Sequence, residues 1–190
     1  MQLRTKNIVL IILFISITSF AQNFRLGFSN ESYKISVNGV YDKQHEKVYP
    51  LYSLYLVSGL KFNDFLILEN RTGFLFEGYG YDGLETGLFA KFTLIDKLIY
   101  ISPGFVFHFN YAAERTFSSN NSDVIRLLSI GLGFNFSRTG FIEVLFQKPL
   151  NNIFGSYIDD INYDPSVQVV YKPMRVNYLL KFAFGFVWDL

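Results

Sequence analysis

Between residues 175 and 190 the chain holds a period of two. Val176, Tyr178, Leu180, Phe182, Phe184, Phe186, Trp188 and Leu190 are all apolar, with Arg175, Asn177, Leu179, Lys181, Ala183, Gly185, Val187 and Asp189 between them. A strand sends alternate side chains to opposite faces, so this segment has one wall of large apolar groups and one face that is small, polar or charged. It is about three times as long as the usual strand of roughly 5–6 residues. A backbone crossing a bilayer must satisfy its polar groups internally, and a closed barrel does so with its apolar face on lipid and its mixed face on the lumen. The pattern predicts an all-β chain folded as an antiparallel up-and-down transmembrane β-barrel.

The same alternation recurs upstream, at about 48–62, 65–77, 85–95, 98–111 and 124–136, and again where Ile142, Val144 and Phe146 oppose Glu143, Leu145 and Gln147. A first strand opens with Phe24, Leu26 and Phe28, after which its apolar parity changes to Tyr33, Ile35 and Val37, predicting a bulge near Asn30 to Ser32. Pro103 cannot donate to a ladder, so a second bulge is expected there. Asn70 and Thr72 interrupt the apolar face of the third strand. Tight turns at Asn63-Asp64, Asp96-Lys97 and Ser137 to Gly140 alternate with looser connections, among them the charged stretch 42–47 and the longest, 149–174. Short periplasmic turns and long outer loops on an even strand count are the habit of bacterial outer-membrane barrels. Eight strands with both ends on the periplasmic side satisfy that pattern.

Composition narrows the class further. Charged residues make up 17% of the chain against roughly a quarter in soluble domains, while 22 Phe and 13 Tyr are present and Cys is absent. Disulfides and thiolate metal sites are therefore excluded. Residues 1–21 read as a secretory signal: Arg4 and Lys6, an apolar run over 8–17, then Ser19-Phe20-Ala21 as the small-x-small cleavage pattern. Residues 22–190 are then one barrel domain. No basic patch points to nucleic acid, and no cofactor is called for.

The signal segment, eight alternating strands, three short turns and aromatic-rich last strand together resemble the small outer-membrane barrels of Gram-negative bacteria, the OmpA-transmembrane-domain and OmpX-like class. The resemblance implies residence in the bacterial outer membrane, with its lipids and lipopolysaccharide as surroundings and the barrel-assembly machinery as a partner. Those families commonly end on Phe; here Phe184, Phe186, Trp188 and Leu190 stand at the assembly signal, with Leu190 in the terminal place.

Parity places Arg25, Lys61, Glu69, Arg71, Lys91, Glu143 and Lys181 on the lumen face. Buried charges must pair, so a salt-bridged interior is expected, with a small gated channel as the alternative. His108 and Asn110 form a polar lumen site by the same parity, and His45 falls in a charged loop. A lipid A acyl hydrolase or transferase is the enzymatic alternative. A PagL-like hydrolase would need a lipid-facing His-x-Ser, but His108-Phe109-Asn110 faces inward; a PagP-like transferase would need an Asp-Ser pair, but Asp82 lacks its Ser. Asp160, Asn162 and Asp164 start a calcium-loop spacing that Pro165 and Tyr171 then break. Phe154, Tyr157, Tyr163 and Tyr171, with 167–170, suggest a strand extension above the membrane that offers an edge to a surface ligand. The function expected is a structural or surface-interaction role through the outer loops.

Overall fold

The computed structural model describes residues 23–38, 44–76, 81–95, 97–110, 124–151, 153–159 and 170–190. The expected signal segment, residues 1–21, and the Asp160, Asn162 and Asp164 spacing lie outside them. Nine strands run in chain order: β1 (Phe24–Asn38), β2 (Gln44–Lys61), β3 (Leu66–Leu75), β4 (Gly83–Ile95), β5 (Ile99–Asn110), β6 (Val124–Asn135), β7 (Gly140–Pro149), β8 (Ile153–Asp159) and β9 (Val170–Asp189). Each of β1 to β6 pairs antiparallel with the next, β7 pairs with β9, and β9 returns to β1 with Phe28 opposite Phe186. The result is a closed eight-stranded all-β barrel, with no helix among the described residues. It is the architecture implied by the resemblance. β8 stands outside the ring and pairs with the start of β9, Tyr157 opposite Lys172, which is the expected strand extension.

Local chemistry ends the strands on the turn side. The Asn63 side-chain oxygen accepts from the backbone N–H groups of Phe65 and Leu66 at 2.9 and 2.7 Å. The Ser137 hydroxyl accepts from Gly140 N–H at 2.7 Å. Lys97 takes the left-handed conformation, φ 64°, which reverses the chain between β4 and β5.

The expected bulge in β1 is corrected. Glu31 pairs with Ser53 and Tyr33 with Tyr49, so residues 50–52 of β2 stand against Ser32 alone, while β1 stays in step with β9 from Arg25 to Ser36. The extra residues fall on the strand that carries Pro50, which has no N–H to give the ladder. Side chains of β1 therefore keep alternating, and Tyr33 and Ile35 point inward, fully buried. A second irregularity lies in β9, where Ser36 pairs with Tyr178 but Val37 with Val176, turning Val176 into the core. The outward apolar run of the last strand thus begins at Tyr178. At Pro103 no bulge forms: the register to β6 is unbroken, and the β4 ladder skips Ala90 and Lys91 without shifting. β2 begins at Gln44, so His45 lies on a strand opposite Val37 and not in a loop.

The two faces differ sharply. Outward positions carry exposed Leu54, Leu56, Leu88, Leu128, Ile130, Leu132 and Val144 around the middle of the barrel. Phe62, Phe65, Phe136 and Trp188 gather near the turn-side mouth, and Phe74, Phe76, Phe107 and Phe109 near the other. Asn70 and Thr72 do interrupt this belt, but they bond among themselves and with Thr86: Asn70 Nδ2 donates to Thr86 Oγ1 at 3.3 Å and Thr72 Oγ1 to Asn70 Oδ1 at 3.0 Å.

Inward positions obey a size rule. Tyr55 pairs with Gly73, Phe89 with Gly104, Tyr100 with Gly133 and Phe141 with Gly185. The Tyr100 ring lies where a Gly133 side chain would be, and the Phe141 ring does the same at Gly185. An interior this narrow is filled by side chains, and placing no side chain opposite an aromatic lets the ring lie along the wall.

Candidate functional site

The Phe89, Tyr100 and Phe141 rings, laid over glycines, and the Tyr55 ring present their faces to three buried cations. Arg71 sits 4.7 Å from the Phe89 ring centre and 5.5 Å from that of Phe141. Lys91 lies 4.1 Å from Tyr100 and 4.5 Å from Phe141, and Lys181 lies 5.1 Å from Tyr55. Aromatic faces attract cations most when water is excluded.

Carboxylates complete the set. Arg71 Nε bonds Glu69 at 2.8 Å, its Nη2 holds Glu143 and its Nη1 is 3.8 Å from Glu31. Lys91 bonds Glu69 at 3.2 Å. Lys181 bonds Glu31 at 3.2 Å and also holds Glu85, to which the Tyr55 hydroxyl donates. Ser102 donates to the other oxygen of Glu143. Every one of these ionic side chains is at most 4% exposed. The strands β1, β3, β4, β7 and β9 all contribute, so the network spans the lumen from wall to wall.

Five residues placed inward by parity, Glu69, Arg71, Lys91, Glu143 and Lys181, are thus brought together. Arg25 and Lys61 are not part of the set: Arg25 bonds Asp189 at 2.7 Å and Lys61 bonds Asp64 at 2.9 Å at the turn-side rim. Parity tells which face a residue is on but not its height, and both lie at the ends of their strands. Glu31 and Glu85 were missed. Glu31 was hidden by the bulge assigned to β1, whereas Glu85 shares the inward parity of Phe89 and Lys91 and could have been read from it.

His108 and Asn110 face inward as expected, 0% and 4% exposed. The His108 ring stacks on Tyr81 at 4.0 Å and its Nδ1 lies 3.2 Å from Glu85. Beyond it, toward the loop end, Tyr33, Ile35, Leu75, Tyr81, Ile125 and Leu127 form a buried apolar layer over the charges. Phe184, Trp188 and Leu190 of the expected assembly signal are exposed on the outer face, with Phe186 half-buried beside them.

Chemically the arrangement is a stopper. The space left among Glu31, Tyr55, Arg71, Glu85 and Lys181 is about 10 Å³, room for no more than about one water molecule. Ser102 donates to Glu143, which Arg71 also holds, and His108 lies against Glu85 and Tyr81.

At the turn-side rim Asp64 is fully solvated and shared by Lys97 at 2.8 Å and Lys61 at 2.9 Å. Hydrogen bonds from Lys97 and then Lys61 hold its carboxyl below the ordinary 3.8, at about 2. A carboxyl depressed on folding stabilises above its unfolded value, and that contribution fades as pH falls from about 4 to about 2. An NMR titration is expected to find the Asp64 midpoint near 2, and the variant K97N to move it back upward.

No protein-family model and no curated relative matches the chain. Among solved structures it is similar to the N-terminal β-barrel domain of Pseudomonas aeruginosa OprF, at 13% identity and TM-score 0.45, over 88% of this chain and 98% of that one. It is similar to OprG from Pseudomonas aeruginosa at 11% identity and TM-score 0.47, over 88% and 97%. Ail, the attachment invasion locus protein of Yersinia pestis, aligns at 12% identity and TM-score 0.43, over 87% and 99%.

Proposed function

We propose that this chain is a non-enzymatic, non-conducting barrel of the bacterial outer membrane, which serves the envelope structurally or presents its outer loops to a surface ligand. The observation that carries the reading is the belt of exposed Leu, Ile, Val and Phe around a barrel whose interior is ionic. A soluble protein rarely leaves so large an apolar surface bare, whereas a lipid-facing band with aromatic girdles at both ends requires it. The β8–β9 hairpin stands beyond the ring on the side of the long connections, where a partner strand could add to it. The surrounding lipids and lipopolysaccharide, and the machinery that inserts the barrel, are the partners this reading implies.

Three measurements test it. Single cysteines can be placed at Ser119 and Arg138 in the cysteine-free chain and probed on intact cells with an impermeant thiol reagent. Ser119→Cys is expected to label and Arg138→Cys to stay silent; the opposite result would invert the orientation. In planar bilayers the refolded protein is expected to show no steady conductance, and sustained current would replace the stopper with a channel. Lipid A acylation, followed by mass spectrometry, is expected to be the same with and without the protein.

A further inference from the structure

Below the ionic layer the lumen is not filled. A cavity of about 480 Å³ opens at the turn-side mouth, within the range of about 300–1,000 Å³ typical of small-molecule sites. Among the described residues its walls carry Arg25, Lys61, Lys91, Lys97 and Arg138 against two carboxylates, Asp64 and Asp189.

The pairing leaves positive charge in two places. Asp189 is taken by Arg25, and Lys91 is matched by Glu69 from behind the wall. Asp64 is divided between Lys61 and Lys97, so among the described residues these two lysines share one carboxylate. Arg138 has no carboxylate in reach among the described residues, although it lines the same cavity. A cleft with low-dielectric walls concentrates such a field. The remaining wall is partly apolar, with Phe141, Leu98 and Val187, which suits a ligand with a body as well as a charged end.

We infer that the turn-side vestibule binds a phosphate-bearing ligand, with Arg138 and Lys97 as its principal contacts. Arg138, together with a lysine pair that shares one carboxylate, suits a dianionic phosphate monoester better than a single carboxylate, which would use only one charge. The guanidinium offers a forked pair of donors to two phosphate oxygens, and the ammonium a point charge to the third. The site depends on the interior of the barrel alone, so it stands or falls apart from the proposed loop function. The phosphate could come from a soluble ester or from a lipid headgroup at the membrane surface beside the mouth.

The test is calorimetric titration of the refolded chain in a maltoside detergent, with glycerol 1-phosphate in one arm and dihexanoyl phosphatidic acid in the other. Glycerol and dihexanoyl phosphatidylcholine serve as controls. Saturable binding of either monoester, competed by inorganic phosphate, is expected. Binding confined to the phosphatidic acid assigns the headgroup, and binding of glycerol 1-phosphate assigns the soluble ester. The double variant R138Q/K97N is expected to weaken it about tenfold or more, two charge-assisted contacts being lost. Both positions are on turns, and asparagine tolerates the φ of 64° at position 97; an unchanged shift between heated and unheated gel bands confirms that the variant is folded. No saturable binding of either monoester, or equal binding by the folded double variant, would overturn the inference.

Discussion

Arg71→Met is expected to destabilise the barrel by about 3–5 kcal/mol, the cost of leaving buried carboxylates without their cation. Arg71 is 2% exposed and is the one residue that touches Glu31, Glu69 and Glu143. Methionine fills the volume and keeps contact with the Phe89 and Phe141 rings, so the loss reports charge more than packing. Lys91→Met should cost less, because Glu69 keeps its bond to Arg71. Adding Glu143→Gln to Arg71→Met should recover part of the loss, since the two act through one contact. Urea unfolding of the refolded protein in detergent measures all four species. A loss below about 1 kcal/mol, within the range of exposed ion pairs, would mean that water reaches the network after all.

Ile130→Arg is the complementary experiment on the outer face. Ile130 is 57% exposed near the middle of β6, and a surface substitution of this kind in water stays within about 0.5 kcal/mol of neutral. At the midplane of a bilayer the same change costs about 2–4 kcal/mol. Unfolding from lipid vesicles is expected to give the larger figure. A neutral result in vesicles would mean that this face meets water or protein instead of lipid.

The fold was legible because a period of two is a local property that any strand with unlike faces must display. Phe182, Phe184 and Trp188 against Lys181, Ala183 and Val187 needed no knowledge of neighbours. Irregularities were harder, since a change of apolar parity has two causes. At Tyr33 and Ile35 the pattern predicts a bulge that keeps apolar groups outside, whereas the lumen itself turns apolar at that height. The site suffered from the same ambiguity. Glu31 lies within the stretch where that change of parity falls, and its bond to Lys181 links the two halves of the network. Arg25 and Lys61 are on the face that parity gives them, but Lys61's partner Asp64 comes from a turn that periodicity does not describe, and the pairing of Arg25 with Asp189 needs the β1–β9 register. The Gly–aromatic pairs could be seen only once register had matched Tyr100 to Gly133 and Phe141 to Gly185.

The ion pairs that cross the barrel also constrain how it can be assembled. Glu69 meets Arg71 within one strand, and Lys91 on the next, so a growing hairpin can satisfy them early. Lys181 reaches Glu85 over 96 positions and Arg71 reaches Glu143 over 72, contacts that no open sheet can make. Glu31 and Lys181 lie on β1 and β9, the two strands that form the final seam. An unzipped sheet in lipid would hold these charges unpaired beside its bare strand edges, and both are penalised in hydrocarbon. Half-closed forms are thereby disfavoured, so closure of the seam and pairing of the lumen charges are expected to occur together.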